Sequence, residues 1–127
     1  MYFRYSETPF VIRSDIAEAY RRFWDSLASP GSWWTGAQRV AIAEESRQAV
    51  ACGFCKVRKR ALSPYGPAAA HHARQGLSDT AVDAVHRVVT DQNRITQRWI
   101  EDNDTRDLKK AAYVELVGIV VATFSVD

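Results

Sequence analysis

Apolar side chains recur along this chain at helical spacing, and turn residues divide them into segments. Between Ser14 and Leu27 they fall at Ile16, Tyr20, Phe23, Trp24 and Leu27, the three-and-four rhythm of one helix face. Ser14 predicts the N-cap, with Asp15 and Glu18 favourably placed in the first turn, and Pro30-Gly31 stops the segment. Thr35 to Gln38 has the form of a capping box. It predicts a second helix running to about the cysteines, with Ala37, Val40, Ala41 and then Ala51 on one stripe. A further helical segment follows Cys52 and Cys55 and closes at Ser63-Pro64.

Tyr65 to Gly76, rich in Pro, Gly and Ala, is the longest loop signal and contains His71 and His72. Leu77-Ser78-Asp79 restarts a helix whose apolar positions are Val82, Val85, Val88 and Val89, with His86 among them. The valines lower helix propensity, yet no turn residue intervenes before Asp91. Asp91 to Asn93 predicts a short break, Ile95 to Glu101 a helix, and Asp102 to Asp104 a polar turn. Thr105 then caps a last helix that is apolar on nearly all sides from Ala111 to Phe124. Such a helix is buried, either as the centre of the bundle or as half of an oligomer interface. Residues 1–13 alternate aromatic and polar groups around Pro9, which predicts an extended arm laid over the core or over a neighbouring subunit. No strand pattern or internal repeat stands out. The expected fold is all-α, a single domain over 1–127 made of about five to six helices. The chain stops directly after its last helix without a polar tail, a pattern that fits one domain of a longer architecture or an oligomer subunit.

Composition narrows the function classes. With 127 residues the chain can bury a core of its own. A net charge of +2 is too small to argue for nucleic acid or an anionic membrane as partner. The start of the chain lacks the apolar core of a signal peptide, and the apolar run at Val114–Phe124 is too short to span a bilayer. The expectation is therefore a cytoplasmic protein with neither a membrane nor a nucleic-acid partner. In that compartment a lone Cys-x-x-Cys is catalytic, redox-sensing or metal-binding more often than a structural staple.

The chain's two cysteines, Cys52 and Cys55, both lie in that motif. A thiol reacts as thiolate, so a redox cysteine needs its pKa lowered. If a new helix begins after a bend at Gly53, Cys55 sits near the positive end of its dipole, and Lys56, Arg58, Lys59 and Arg60 crowd the next turn with positive charge. Positions i and i+3 share a helix face, close enough for a disulfide after modest adjustment. Two other readings of the pair compete with this one: inert buried cysteines, or a zinc site completed by His71 and His72. The zinc reading is weak, because adjacent histidines rarely ligate one ion and the spacing matches no finger signature. The redox reading needs no metal and no cofactor.

Glu44 and Glu45 fall on the cysteine face of their helix. Helical rise puts Glu45 about 10 Å from Cys52, so a proton relay between them needs a water, Gln48 or a histidine. His86 is the candidate that could reach the dithiol from a facing helix and titrate near neutrality. His72 is an equal candidate and His71 a lesser one. The Lys56–Arg60 cluster, without interleaved aromatics, makes a poor nucleic-acid patch.

The order of helix, Glu-x6-Cys-x-x-Cys, basic helix and histidine-bearing helix resembles the carboxymuconolactone decarboxylase superfamily, and within it the alkylhydroperoxidase D-like branch. The likeness covers about Thr35 to Asp91 and is most specific over Arg39 to Leu62. It implies an all-helical homo-oligomer that reduces a small hydroperoxide through its dithiol and is reset by an external thiol reductant. By that resemblance Cys55 would be the peroxidatic thiol, Cys52 the resolving one and Glu45 the relay carboxylate. The family pattern places a histidine four residues after the second cysteine, where this chain has Lys59. A lysine there could hold a thiolate by charge but is not the same proton donor, which leaves His72 or His86 for that work. Two other classes compete: a non-enzymatic helical interaction module, and a lyase of the parent superfamily that needs no cysteine.

Overall fold

Thr35 opens the helix around which the rest packs. Its side chain accepts from the Gln38 N–H while the Gln38 side chain accepts from the Thr35 N–H, so the capping box is closed in both directions. The computed structural model describes residues 8–66, 71–72 and 76–127. Over these residues it has six α-helices and no strand. They are α1 (Ser14–Leu27), α2 (Gly36–Ala49), α3 (Gly53–Arg60), α4 (Asp79–Thr90), α5 (Gln97–Asp104) and α6 (Lys110–Val126), with a 3-10 turn at Gln92–Arg94.

Helices α2, α4 and α6 pack on one another to form the centre; α1 lies on α2, α3 on α4 and α5 on α6. The core joins Ile42 and Ala43 of α2, Ala81, Ala84 and Val85 of α4, and Leu116, Ile119 and Val120 of α6. Each large apolar side chain withdrawn from water here is worth roughly 1.5–3 kcal/mol. The small alanines let α2 and α4 approach closely, which brings the polar side chains between them within reach of one another. Trp34 pins the α1–α2 turn to α6 by donating from Nε1 to the Ala112 carbonyl at 2.9 Å. Gly36 fits where nothing larger would, because a Cβ there would fall 1.8 Å from the Ala28 carbonyl oxygen.

Several local expectations are corrected. Ser14 is the first residue of α1 and Arg13 takes the cap position, its guanidinium paired with Asp15. On α1 only Leu27 is fully buried, and Ile16 is exposed. The buried face of α2 is Ile42, Ala43, Glu45, Ser46 and Ala49, whereas Ala37 and Ala51 are exposed. The apolar stripe misled because α2 turns its polar Glu45 inward to meet His86 of α4 and buries Ser46, whose hydroxyl donates to the Ile42 carbonyl of the same helix. Asp102 to Asp104 form the last turn of α5, and α6 begins at Lys110. Thr105 does not cap α6; the Asp104 carboxylate does so from outside, accepting the Lys110 N–H at 2.8 Å. Of the N-terminal arm, residues 1–7 lie outside the described set, and Phe10, Val11 and Ile12 are exposed and do not cover this chain's core. Helix α6 is not covered on every side. Leu116, Ile119 and Val120 are buried, but Val114, Val121 and Phe124 face out.

The short α3 is held at both ends. Its far end is clamped by Arg94, which donates to the carbonyls of Arg58 at 2.9 Å and Ala61 at 2.8 Å and is itself held by Asp91 at 2.7 Å. These bonds tie the end of α3 to the 3-10 turn, the Arg58 carbonyl accepting from Arg94 as well as from the Ala61 N–H. The near end of α3 carries the cysteines.

Candidate functional site

Cys52 is the N-cap of α3, with an extended backbone at φ −61° and ψ 117°, and Cys55 lies in the first turn. The two sulfurs are 3.7 Å apart, and both cysteines are free. Cys55 is buried and Cys52 half-buried. Helix α4, started by the Ser78 side chain accepting from the Ala81 N–H, presents His86 and Asp83 to this pair from the facing side.

Two histidines flank the thiols, and each is backed by a carboxylate. His86 Nδ1 lies 3.2 Å from Cys55 Sγ, and its Nε2 lies 2.7 Å from Glu45 Oε1. His71 Nδ1 lies 3.6 Å from Cys52 Sγ and 3.8 Å from Cys55 Sγ, and its Nε2 lies 2.9 Å from Asp83 Oδ1. The imidazoles are stacked, with ring centroids 3.9 Å apart. Asp83 also accepts from Arg58 and, at 2.9 Å, from Arg87 Nε. Arg58 is 2% exposed and sets Nη2 3.7 Å from Cys55 Sγ. Thr90 belongs to the same cluster, its hydroxyl donating to the His86 carbonyl at 2.7 Å.

These contacts set the protonation. Burial pushes the Cys55 thiol up, but hydrogen bonds from His71, His86 and Thr90, with the charge of His86, overcome this and bring it down to about 5. Burial pushes His71 down, while Asp83, Cys55 and Cys52 together hold it up at about 10. Asp83 is raised by burial and lowered more by His71, Arg58 and Arg87, so it remains well below the usual carboxylate range. At neutral pH the site therefore holds a Cys55 thiolate beside a His71 imidazolium, backed by an ionised Asp83.

Of the residues singled out from the sequence, Cys52, Cys55, Glu45 and His86 come together. The gap expected between Glu45 and the dithiol is filled by His86, one of the three bridges the sequence required. His72 is exposed, and its neighbour His71 is the one that meets the thiols. Lys59 is exposed and lines a cleft of about 250 Å³ with Val50, Cys52, Cys55, Lys56, Val89 and Thr90, which opens the thiols to solvent. From the basic run of α3 it is Arg58, not Lys59, that reaches Cys55. Asp83 and Arg58 were missed as site residues. Their signal was spacing: Asp83 precedes His86 by three, and Arg58 follows Cys55 by three, each pair on one helix face.

Cys52 Sγ, Cys55 Sγ and one ring nitrogen each of His71 and His86 all lie within 4.8 Å of one another, so the same atoms that make a dithiol site could also ligate a metal. No described helix is long and apolar enough to cross a membrane.

Comparison with protein-family models, with curated proteins and with solved structures finds no match. The functional reading therefore rests on the site itself.

Proposed function

We propose that this chain is a dithiol peroxidase of the alkylhydroperoxidase D-like kind, reducing small hydroperoxides through Cys55 and Cys52. The observation that carries the reading is His86 bridging Cys55 Sγ and the buried Glu45 carboxylate. A thiolate nucleophile, a proton donor in contact with it and a carboxylate orienting that donor are what peroxide reduction needs. The histidine that the resemblance expects four residues after Cys55 is absent, and His86 on α4 supplies a ring at the same sulfur.

In the proposed cycle the Cys55 thiolate attacks one peroxide oxygen. The S–O bond forms, the O–O bond breaks, and the leaving alkoxide takes a proton from the imidazole at Cys55 and departs as alcohol. The Cys52 thiol then attacks the sulfenic sulfur, forming the disulfide and releasing water. Two equivalents of an external thiol reduce the disulfide by exchange and leave as their own disulfide. Cys55 suits the first role because it touches both histidines and Arg58, and the half-buried Cys52 suits exchange at the cleft mouth.

The test is stoichiometric treatment of the reduced protein with a small alkyl hydroperoxide, followed by peptide mass spectrometry. The expected result is loss of two hydrogens on the peptide holding Cys52 and Cys55, reversed by a dithiol, and abolished in Cys55→Ser. An unchanged pair, or only intermolecular disulfides, would overturn the proposal. A pair that merely packs should also show no alkylatable low-pKa thiol.

A further inference from the structure

We infer that the reduced site binds one zinc-class metal ion through Cys52 Sγ, Cys55 Sγ, His71 Nδ1 and His86 Nδ1. The inference goes beyond the peroxidase reading and does not depend on it, although both use the same sulfurs.

Geometry is the first argument. Zinc holds sulfur at about 2.3 Å and imidazole nitrogen at about 2.0–2.1 Å, so a tetrahedral site has edges of about 3.7 Å between sulfurs and about 3.6 Å between sulfur and nitrogen. The sulfurs here are 3.7 Å apart. Cys52 Sγ to His71 Nδ1 is 3.6 Å, Cys55 Sγ to His71 Nδ1 is 3.8 Å, and Cys55 Sγ to His86 Nδ1 is 3.2 Å. No two of the four donor atoms are more than 4.8 Å apart. Four of the six edges thus lie within about 0.4 Å of those of a zinc tetrahedron, and the remaining two are no longer than 4.8 Å.

The outer contacts are the second argument. Histidines that ligate metals almost always give their other ring nitrogen to a carboxylate or carbonyl, which orients the ring. Both histidines do so here, His71 to Asp83 and His86 to Glu45, and each thereby turns Nδ1 to the sulfurs.

Donor chemistry is the third. Two thiolates and two imidazoles in a tetrahedron select zinc over the harder cations that prefer oxygen. Four protein ligands leave no open position for water, which makes this a closed site that masks the thiolates.

The experiment titrates the reduced, chelator-treated full chain with Co2+ as spectroscopic probe, then displaces it with Zn2+. One equivalent should bind, with the intense visible bands of tetrahedral cobalt and a near-ultraviolet sulfur-to-metal band. Cys52→Ser should weaken the sulfur band, and His71→Ala, on the segment between α3 and α4, should lower affinity without touching the core. Glu45→Gln and Asp83→Asn should each weaken binding about 10- to 100-fold by freeing the rings. Circular dichroism of each variant separates loss of the site from loss of the fold. Weak octahedral bands, absence of the sulfur band, or affinity unchanged in both Cys52→Ser and His71→Ala would overturn the inference. Peroxide oxidation is followed on the metal-free protein in parallel. Turnover without metal binding sinks this inference alone, and metal binding over peroxide-inert thiols sinks the peroxidase reading alone.

Discussion

His71 and His86 stack with ring centroids 3.9 Å apart, and each turns one nitrogen to sulfur and the other to a carboxylate. The Cys55 sulfur thus has two proton carriers of different surroundings. His86 is buried against Glu45 in the core, whereas His71 sits on Asp83 beside the buried Arg58 and Arg87.

The relay through His86 predicts the effect of its carboxylate. Glu45→Gln keeps the shape and removes the charge that orients the ring. The rate of peroxide reduction should fall about 100-fold or more, the scale of general acid catalysis. Unfolding by denaturant should show the variant still folded. An undiminished rate, measured by stopped-flow oxidation, would remove Glu45 from the relay.

The pH dependence of Cys55 follows from its neighbours. An ordinary thiol titrates near about 8.5, whereas this one is brought down to about 5. In the reduced, metal-free protein its alkylation rate should therefore be level from about pH 6 upward and fall on acidification through 5. Stability follows the same sign: the thiolate's contribution is full above the ordinary thiol pKa and is lost as pH falls through about 5. His71 acts oppositely, since its pKa is raised to about 10; its contribution is full below its ordinary value and is lost as pH rises through about 10. The groups facing Cys55 are Cys52, His71, His86, Thr90 and Arg58. A rate that climbs steadily from pH 6 to 9 would show that they do not hold the thiolate.

Asp83 joins Arg58, Arg87 and His71, and its loss leaves the Arg58 guanidinium buried without its carboxylate. Asp83→Ala should cost roughly 3 kcal/mol or more in unfolding free energy. The double variant Asp83→Leu, Arg58→Met should recover the part of this that comes from Arg58, leaving only Arg87 and His71 without their carboxylate. Denaturant midpoints compare the two.

The chain itself marks out part of this design. The capping box of α2, the Ser78 start of α4 and the Pro30-Gly31 stop are local, so neighbouring residues were enough to read them. The inward turn of Glu45 and Ser46 was not legible as core, because apolar periodicity scores polar residues as outside. Only the facing His86 makes Glu45 tolerable at 1% exposure. His71 ranked below His72 for a related reason: a loop histidine earns its place from Asp83 and the thiols, which spacing along the chain does not bring together. Lys59 drew attention through the family pattern, whereas Arg58, one position earlier, is the residue that turns inward.

Lys59 and Arg58 therefore make a paired prediction. Lys59 is exposed at the rim of the cleft, where solvent screens its charge. Lys59→Met should change the Cys55 alkylation rate by less than about threefold, within the scale of exposed ion pairs. A tenfold or larger drop would restore Lys59 as the group that holds the thiolate.

The outward strip of Val114, Val121 and Phe124 on α6 predicts self-association, since soluble monomers rarely leave long apolar stripes bare. Val121→Asp lies outside the core cluster and should yield a folded monomer in sedimentation where the parent chain is a homo-oligomer. A parent chain that already sediments as a monomer at micromolar concentration would reject this.

The position of Cys52 at the cap of α3 has a mechanical consequence. Closing the 3.7 Å gap to a bond of about 2.05 Å requires one sulfur to move by more than an ångström. Cys55 is locked in a helical turn between two rings and a guanidinium, so Cys52 must travel. It stands on extended backbone, next to a Gly53 with open space around it. The two oxidation states should then differ at a single hinge, with every helix of the bundle left in place. A partner that must tell spent from ready molecules would find no distant sign of the difference, and has to feel for it at the cleft mouth, between Val50 and Lys56.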